Sequence, residues 1–396
     1  MRREILSNAQ IVLPAKTIDG SVVIEDGLIA EILPGRNFAD SLDINRRLLI
    51  PGIIDIHTDY IEKELAPRPE SRFPVELALH YMDLRAISCG ITTVLSAARI
   101  SGEREGGLGS WTGDGLELAR VYESFLDRTK ARHLIHIRWD TSFELAEHAL
   151  NEVRKLRSIG NLVYNENIPG ERQFRDLAGV IRRQAERRGI SLEESKKLME
   201  ERIAKARSVN NRLQVKAALA GKIPLGSHDD TTVEHVVEAH ESGATLSEMP
   251  CSIQAARKAK ELGMMVCMGA PNYYHGGSHC GNLSCVDALA EGLVDILCSD
   301  YHFPSLLAAV LKMIDNGADP SAAFNLVSLN PARYLGLDSE TGSIETGKRA
   351  DLAVIEPRAG FGAVSHVWVE GRLKFQADEE RFVTPQADMS PQFAEA

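Results

Sequence analysis

What this chain lacks narrows its chemistry first. Its six cysteines (Cys89, Cys251, Cys267, Cys280, Cys285 and Cys298) form no Cys-x-x-Cys pair, which argues against a thiolate zinc site or a redox dithiol. Several sit inside apolar runs such as Met264-Met265-Val266-Cys267-Met268, as reduced thiols of a cytoplasmic protein would. No apolar run reaches the length of a membrane span, and Met1-Arg2-Arg3-Glu4-Ile5-Leu6 lacks the apolar core of a signal peptide. No Gly-x-Gly-x-x-Gly follows a strand-like run, and no Gly-Lys-Ser/Thr follows the glycines of Ser101–Gly115. A dinucleotide crevice and a P-loop are therefore not indicated, and that segment reads as a mobile loop at the rim of a site. Positive charge is also in deficit: 45 Lys and Arg against 56 Asp and Glu give a formal net charge of -11. That excludes a general nucleic-acid or membrane-surface binder, but not a small anionic substrate held by a few local arginines.

What is present has two textures. The first 50 residues carry short strand-like runs, Ala9–Leu13, Ser21–Glu25, Leu28–Ile32 and Arg47–Ile50, parted by turn pairs such as Asp19-Gly20 and Asp26-Gly27. The end of the chain repeats this style in Ala353–Ile355, Val364–Val369 and Arg372–Phe375, with Glu370-Gly371 at a turn. We therefore expect a small β-sandwich domain formed by residues 1–50 and 342–390 together.

Between them, residues 51–341 hold eight apolar or β-branched runs mostly separated by helical patterns. They are Gly52–His57, Thr92–Ser96, Leu134–Trp139, Asn161–Tyr164, Pro224–Ser227, Ala244–Ser247, Met264–Met268 and Asp295–Ser299. Continuous apolar strands alternating with amphipathic helices specify a parallel sheet covered by helices. Eight such units give an α/β fold of the (β/α)8 TIM-barrel type; an open doubly wound sheet is the alternative. Within the charged stretch 171–222, Ser191-Leu192-Glu193-Glu194 is a capping box that opens a helix to about Ser208. This stretch is either a solvated helical excursion or a lid.

Barrels of this type carry their chemistry at the C-terminal ends of the strands. The first run ends in Asp55-Ile56-His57-Thr58-Asp59, the fifth in Ser227-His228-Asp229-Asp230, and the eighth in Cys298-Ser299-Asp300-Tyr301-His302. A single histidine at a strand end is usually a packed one; imidazole or carboxylate at three strand ends is hard to dismiss. Side chains alternate along a strand, so His57 and Asp59 point the same way and can share a cation. Such ligands suit Zn²⁺, Mn²⁺ or Fe²⁺ and lead to metal-assisted hydrolysis. Asp300, closing the last strand opposite His57, is the candidate base, and His228 shares the catalytic work.

These segments resemble a known family. Pro51-Gly52-Ile53-Ile54-Asp55-Ile56-His57 and Gly342-Ser343-Ile344-Glu345-Thr346-Gly347-Lys348-Arg349-Ala350-Asp351-Leu352, with Asn330-Pro331-Ala332-Arg333 before it, resemble the amidohydrolase superfamily. His57-Thr58-Asp59, Ala66-Pro67-Arg68-Pro69, Pro169-Gly170-Glu171-Arg172-Gln173-Phe174, Ser227-His228-Asp229-Asp230 and Gly276-Gly277-Ser278-His279 are similar to its phosphonate-utilisation, PhnM-like branch. The resemblance implies a ribose 1-methylphosphonate 5-triphosphate diphosphatase that releases pyrophosphate. A polyphosphate needs cationic donors, and Arg68, Arg172, His279 and His302, with Lys63 and His275 behind them, are the candidates. Two positions depart from the branch pattern: Arg138-Trp139-Asp140 stands where a Glu follows the third strand, and Asn167 where a His precedes the Pro-Gly of the fourth loop. The expectation is one firmly held ion, zinc first, at His57, Asp59, His228 and Asp300, with a second, weaker site near Asp140 and Glu166. The departures keep a C–N hydrolase open (deaminase, lactamase or N-acyl hydrolase), and a decayed binding protein is a third reading. A homodimer is expected by analogy.

Overall fold

The computed structural model describes residues 2–377 except 69–70, 101–114, 142–146, 167, 169, 171, 173–175, 210, 279–280 and 359–360. The barrel strands, numbered after five N-terminal strands, are β6 (Ile53–Thr58), β7 (Ile91–Ile100), β8 (Arg132–Asp140), β9 (Ile159–Asn165), β10 (Leu225–His228), β11 (Leu246–Glu248), β12 (Met265–Gly269) and β13 (Ile296–Cys298). They pair in sequence order, all parallel. A parallel bridge between Thr58 and Asp300 joins the last strand's end to the first. Each of the eight expected runs is a strand, because each is buried on both faces and can be continuously apolar only between helices.

The expected β-unit from both chain ends is one mixed sheet of eight strands. Strands β1 (Arg3–Val12), β2 (Thr17–Glu25), β3 (Leu28–Pro34), β4 (Leu42–Asp43) and β5 (Leu48–Pro51) join β14 (Leu352–Arg358), β15 (Phe361–Val369) and β16 (Arg372–Gln376). The two ends meet where β14 pairs antiparallel with β5. Its own core centres on Leu6, Ile11, Leu49, Val354 and Trp368.

Two apolar cores serve the barrel. The larger lies between strands and covering helices; the smaller, with Ile54, Ile56, Leu95, Leu246, Cys267, Ile296 and Cys298, is the floor on which the site rests. The capping box is realised: Ser191 accepts from the Glu194 amide at 3.1 Å and the helix runs Leu192–Arg207. This helix and Leu177–Arg188 enclose a small core of their own around Met199 and Ile203. The glycine-rich segment 101–114 lies outside the described residues. The described cysteines are free thiols, and among the described residues no helix is long and apolar enough to cross a membrane.

The junction between the two units is tight. Gly52 donates to the Asp351 carbonyl at 2.8 Å, and a Cβ on it would stand 2.2 Å from Thr92 Oγ1 and 2.8 Å from Thr92 Cβ. Thr92 is β-branched and fully buried, so it cannot swing away. Gly52→Ala should therefore lower stability by roughly 1–3 kcal/mol, read from the urea midpoint; an unchanged midpoint would contradict this packing.

Candidate active site

The site grows out of strand alternation above the apolar floor. On β8, Leu134 packs against the floor, so His136 and then Arg138 follow it on the same face, one step higher each. On β11, Leu246 belongs to the floor and Glu248 stands two residues above it. On β13, Ile296 and Cys298 are floor residues and Asp300 comes next in that series. Apolar at the base and ionisable at the mouth, these series converge on the two histidines that end β6 and β10.

The result is a buried knot of imidazole and carboxylate. Glu248 Oε2 lies 2.9 Å from His57 Nδ1, 3.5 Å from His136 Nε2 and 3.8 Å from His228 Nε2. The rings of His57 and His136 are 4.6 Å apart, and those of His57 and His228 5.5 Å. His57 Nε2 is 3.8 Å from Asp59 Oδ1, and Arg138 Nη1 is 3.1 Å from Asp59 Oδ2. His228 Nδ1 stands 2.8 Å from Asp229 Oδ2.

The backbone is bent sharply around this knot. Asp229, Met249 and Asp300, each the first residue or so past β10, β11 and β13, take left-handed φ values of 59°, 51° and 56°. Such positions cost about 1–3 kcal/mol each and gather at functional sites. They persist here because neighbouring strands hold them: the Asp229 amide donates to the Glu248 carbonyl at 3.0 Å and that of Met249 to Cys267 at 2.8 Å.

These contacts set the charges. Burial works against protonating His57, but the Glu248 and Asp59 carboxylates outweigh it and raise its basicity well above an ordinary imidazole. Burial depresses His136 to about 3 despite the Glu248 charge. Burial opposes the charged form of Glu248 too, yet the histidines around it hold its carboxyl at about 2. Asp59 is likewise held far below the carboxylate range by Arg138, His57 and His228, against its burial. Asp300 moves the other way: burial and the Asp59 charge raise it. Glu62, on the short helix after Asp59, is pushed up to about 7 by burial and Asp59.

The donor set fits a metal ion. His57 Nδ1, both nitrogens of His136 and His228, and both oxygens of Glu248 are buried without an aligned hydrogen bond. Buried polar atoms are ordinarily paired, and leaving several lone pairs facing one another is costly unless a cation sits among them. Two triads bring ligand atoms within 4.8 Å of one another: His57, His228 and Glu248, and His57, Asp59 and Asp300.

Four residues expected as ligands, His57, Asp59, His228 and Asp300, thus come together in these triads. Asp140 and Glu166 stand in neither. Asp140 faces Arg99 at 3.5 Å. Glu166 is gripped by Arg172 at 2.8 Å and by Arg212, and accepts from Thr141 at 3.1 Å; two guanidinium groups neutralise it where it lies. Arg172, expected to face substrate, is only 5% exposed, and its other donors go to Asp230 at 3.0 Å and the His228 carbonyl at 3.3 Å. Arg68 is exposed and forms an isolated bridge with Ser71. His302 is exposed, near Lys63 and His275. His279 and Asn167 lie outside the described residues.

Glu248, His136 and Arg138 went unread as site residues. The sixth run, Ala244–Ser247, stops one residue short of Glu248, and His136 sits in mid-strand where nothing local distinguishes it from a packed histidine. Counting upward in steps of two from Leu246 and Leu134 would have found all three.

The amidohydrolase family profile matches residues 190–374. The chain is 32% identical over 384 residues, 94% of its length and 100% of the relative's, to the alpha-D-ribose 1-methylphosphonate 5-triphosphate diphosphatase of Escherichia coli (strain K12). It is 24% identical to the imidazolonepropionase of Symbiobacterium thermophilum, over 90% of this chain and 88% of that protein. Among solved structures, the beta-aspartyl dipeptidase of Fervidobacterium islandicum aligns with a TM-score of 0.61 at 15% identity, covering 95% and 97% of the two chains; this likeness speaks to fold alone.

Two measurements check the site. Glu248→Gln should hold a divalent ion at least tenfold more weakly, read by metal analysis after dialysis against graded chelator. The second concerns protons in the metal-free protein. His136 stays neutral in the fold until about pH 3, whereas an unfolded histidine takes its proton near its ordinary 6.5. As pH falls below 6.5 the unfolded state gains a proton the folded state refuses, so this residue subtracts up to about 1.4 kcal/mol per pH unit. His136→Gln should flatten the urea-stability profile between pH 6 and 4 by that order; an equally steep profile would contradict the buried, neutral imidazole.

Proposed function

The chain belongs to the amidohydrolase family, on the branch of the Escherichia coli diphosphatase, and from that premise we propose that it hydrolyses a ribose 5-triphosphate, α-D-ribose 1-methylphosphonate 5-triphosphate, to release pyrophosphate. The observation that carries this reading is identity of 32% over 94% of the chain and all of that relative. Hydrolase chemistry as such rests on the family; the substrate is our inference.

A divalent ion, zinc on the imidazole and carboxylate donor set, would be held by His57 with His228 and Glu248 or with Asp59 and Asp300, and would supply Lewis acidity and a lowered pKa of bound water there. Asp300 takes the water's proton. Burial, with the Asp59 charge, raises its proton affinity above that of an ordinary carboxylate, which strengthens it as a base. Water attacks the first phosphorus of the ester, the anhydride oxygen leaves with pyrophosphate, and a 5-monophosphate remains. The Asp229 carboxylate stands 2.8 Å from His228 Nδ1, and the Nε2 on the other side of the ring faces Glu248 at 3.8 Å.

A cavity of about 280 Å³ lined by Asn272, His275, Gly276, Gly277, Ser278 and Tyr301, the residue after Asp300, supports this reading. Lys63, whose ammonium donates to the Tyr301 carbonyl at 2.7 Å, and His302 stand nearby. Cationic and hydroxyl donors at the mouth suit phosphate oxygens. The buried thiols accord with a cytoplasmic setting.

A C–N hydrolase on the same scaffold is the second reading. One observation favours it: Arg172 and Glu166, expected at a polyphosphate and a metal, neutralise each other within a buried ion network. The two readings part on products. Ribose 5-triphosphates should yield pyrophosphate and a C–N substrate panel no ammonia, with His228→Ala and Asp300→Asn each reducing pyrophosphate release by roughly 10²–10⁴-fold. Ammonia or amine release without pyrophosphate would replace the first reading by the second.

A further inference from the structure

We propose that Arg138 is the second cation of this centre: its guanidinium stands beside Asp59, the site takes one divalent ion, and the arginine receives the substrate's phosphoryl oxygens. The substrate half of this rests on the diphosphatase reading; the metal count does not.

Position comes first. Arg138 stands above His136 on the inward face of β8, one step nearer the mouth. Its Nη1 lies 3.1 Å and 3.4 Å from the two Asp59 oxygens. Asp229, Glu248 and Glu62 also lie within its electrostatic reach, so it is set among the carboxylates that would otherwise draw a further cation.

Ligand arithmetic comes second. Both donor triads need His57. A neutral imidazole has one lone pair and so binds one ion, and the two nitrogens of His57 face different carboxylates, Nδ1 toward Glu248 and Nε2 toward Asp59. The triads are therefore alternatives rather than two filled sites. An additional ion at Asp59 and Asp300 would lack the imidazole and would meet a guanidinium already 3.1 Å from Asp59. Like charges at such separations repel strongly where water is scarce.

Arg138 differs from the nearby Arg172 in what its donors already hold. Arg172 has 4% of its side chain exposed and distributes its donors over Glu166, Asp230 and the His228 carbonyl. Arg138 keeps 19% of its side chain exposed at the guanidinium end, and its Nε, buried inside the site, has no hydrogen-bond partner. A planar, permanently charged fork with an open donor and a partly exposed end is what phosphoryl oxygens bind best. In two-ion hydrolases the second ion steadies charge on the transferring group; a guanidinium can do this without competing for ligands.

The test counts ions and weighs an anion. Wild-type protein is saturated with Zn²⁺, freed of excess by gel filtration and assayed by plasma mass spectrometry; one equivalent per chain is expected. Arg138→Met, at the same free Zn²⁺, should take up a second equivalent, while Arg138→Lys stays at one. Pyrophosphate titrated calorimetrically into the zinc-loaded proteins should bind at least about tenfold more weakly to Arg138→Met, with Arg138→Lys between. Near-ultraviolet circular dichroism of both variants confirms that the barrel is intact, and the lysine variant serves if the methionine one misfolds, its pyrophosphate affinity falling while its metal count holds. Two equivalents in the wild type, a folded Arg138→Met that stays at one, or an unchanged pyrophosphate affinity overturns the proposal. Metal count is independent of substrate, so two wild-type equivalents refute the arginine's role and leave the diphosphatase reading standing, whereas failure to release pyrophosphate from ribose 5-triphosphates sinks that reading without moving the count.

Discussion

One short stretch of backbone holds the candidate centre together: the closure of the barrel at Asp300. Its amide donates to the His57 carbonyl at 3.1 Å, and its carbonyl accepts from the Asp59 amide at 2.6 Å and from Thr58 Oγ1 at 3.1 Å. First and last strands are thereby locked in a single register, and a slip of one residue would turn side chains away from the pocket. Asp300 makes these bonds in the left-handed region, at φ 56°, which an aspartate tolerates better than most residues. Closure of the sheet and convergence of His57, Asp59 and Asp300 are one event.

Around that seam the molecule keeps many charges out of water, and it does so by sorting them. Arg172 and Arg212 neutralise Glu166, and Asp230 ties Arg172 back to Ser227 and Ser247 of neighbouring strands. The carboxylates of that network are each met by a guanidinium, and it serves as framework: it secures the His228 segment to the helical excursion. The Glu248 cluster is the opposite case, with buried lone pairs left open. Buried ionic groups are tolerable when paired and expensive when not, so the contrast itself separates structural from chemical charge. Asp83, His133, Tyr122 and Ser96 form another closed chain away from the mouth, with bonds of 2.6–2.9 Å, and belong with the framework.

Much of the fold was legible because its signal is local. All eight barrel strands sat in runs that only a two-sided environment tolerates, and the capping box at Ser191 began its helix where a side-chain oxygen could reach the Glu194 amide. His57, Asp59, His228 and Asp300 were legible because they terminate such runs. Glu248 was not, since its strand is only three residues long and its boundary moved by one. Glu166 and Arg172 misled for a related reason: six positions apart, with no chain pattern to say so, they face each other.

By itself, the sequence determined which segments become strands and helices, that both ends build one β-unit, and which residue types reach the barrel mouth, because hydrophobic periodicity acts between near neighbours. Only the tertiary structure decided which charges cancel and which remain open. Ion pairing and lone-pair direction depend on distances between strands far apart in the chain, where a shift of an ångström or two turns a ligand into a framework salt bridge.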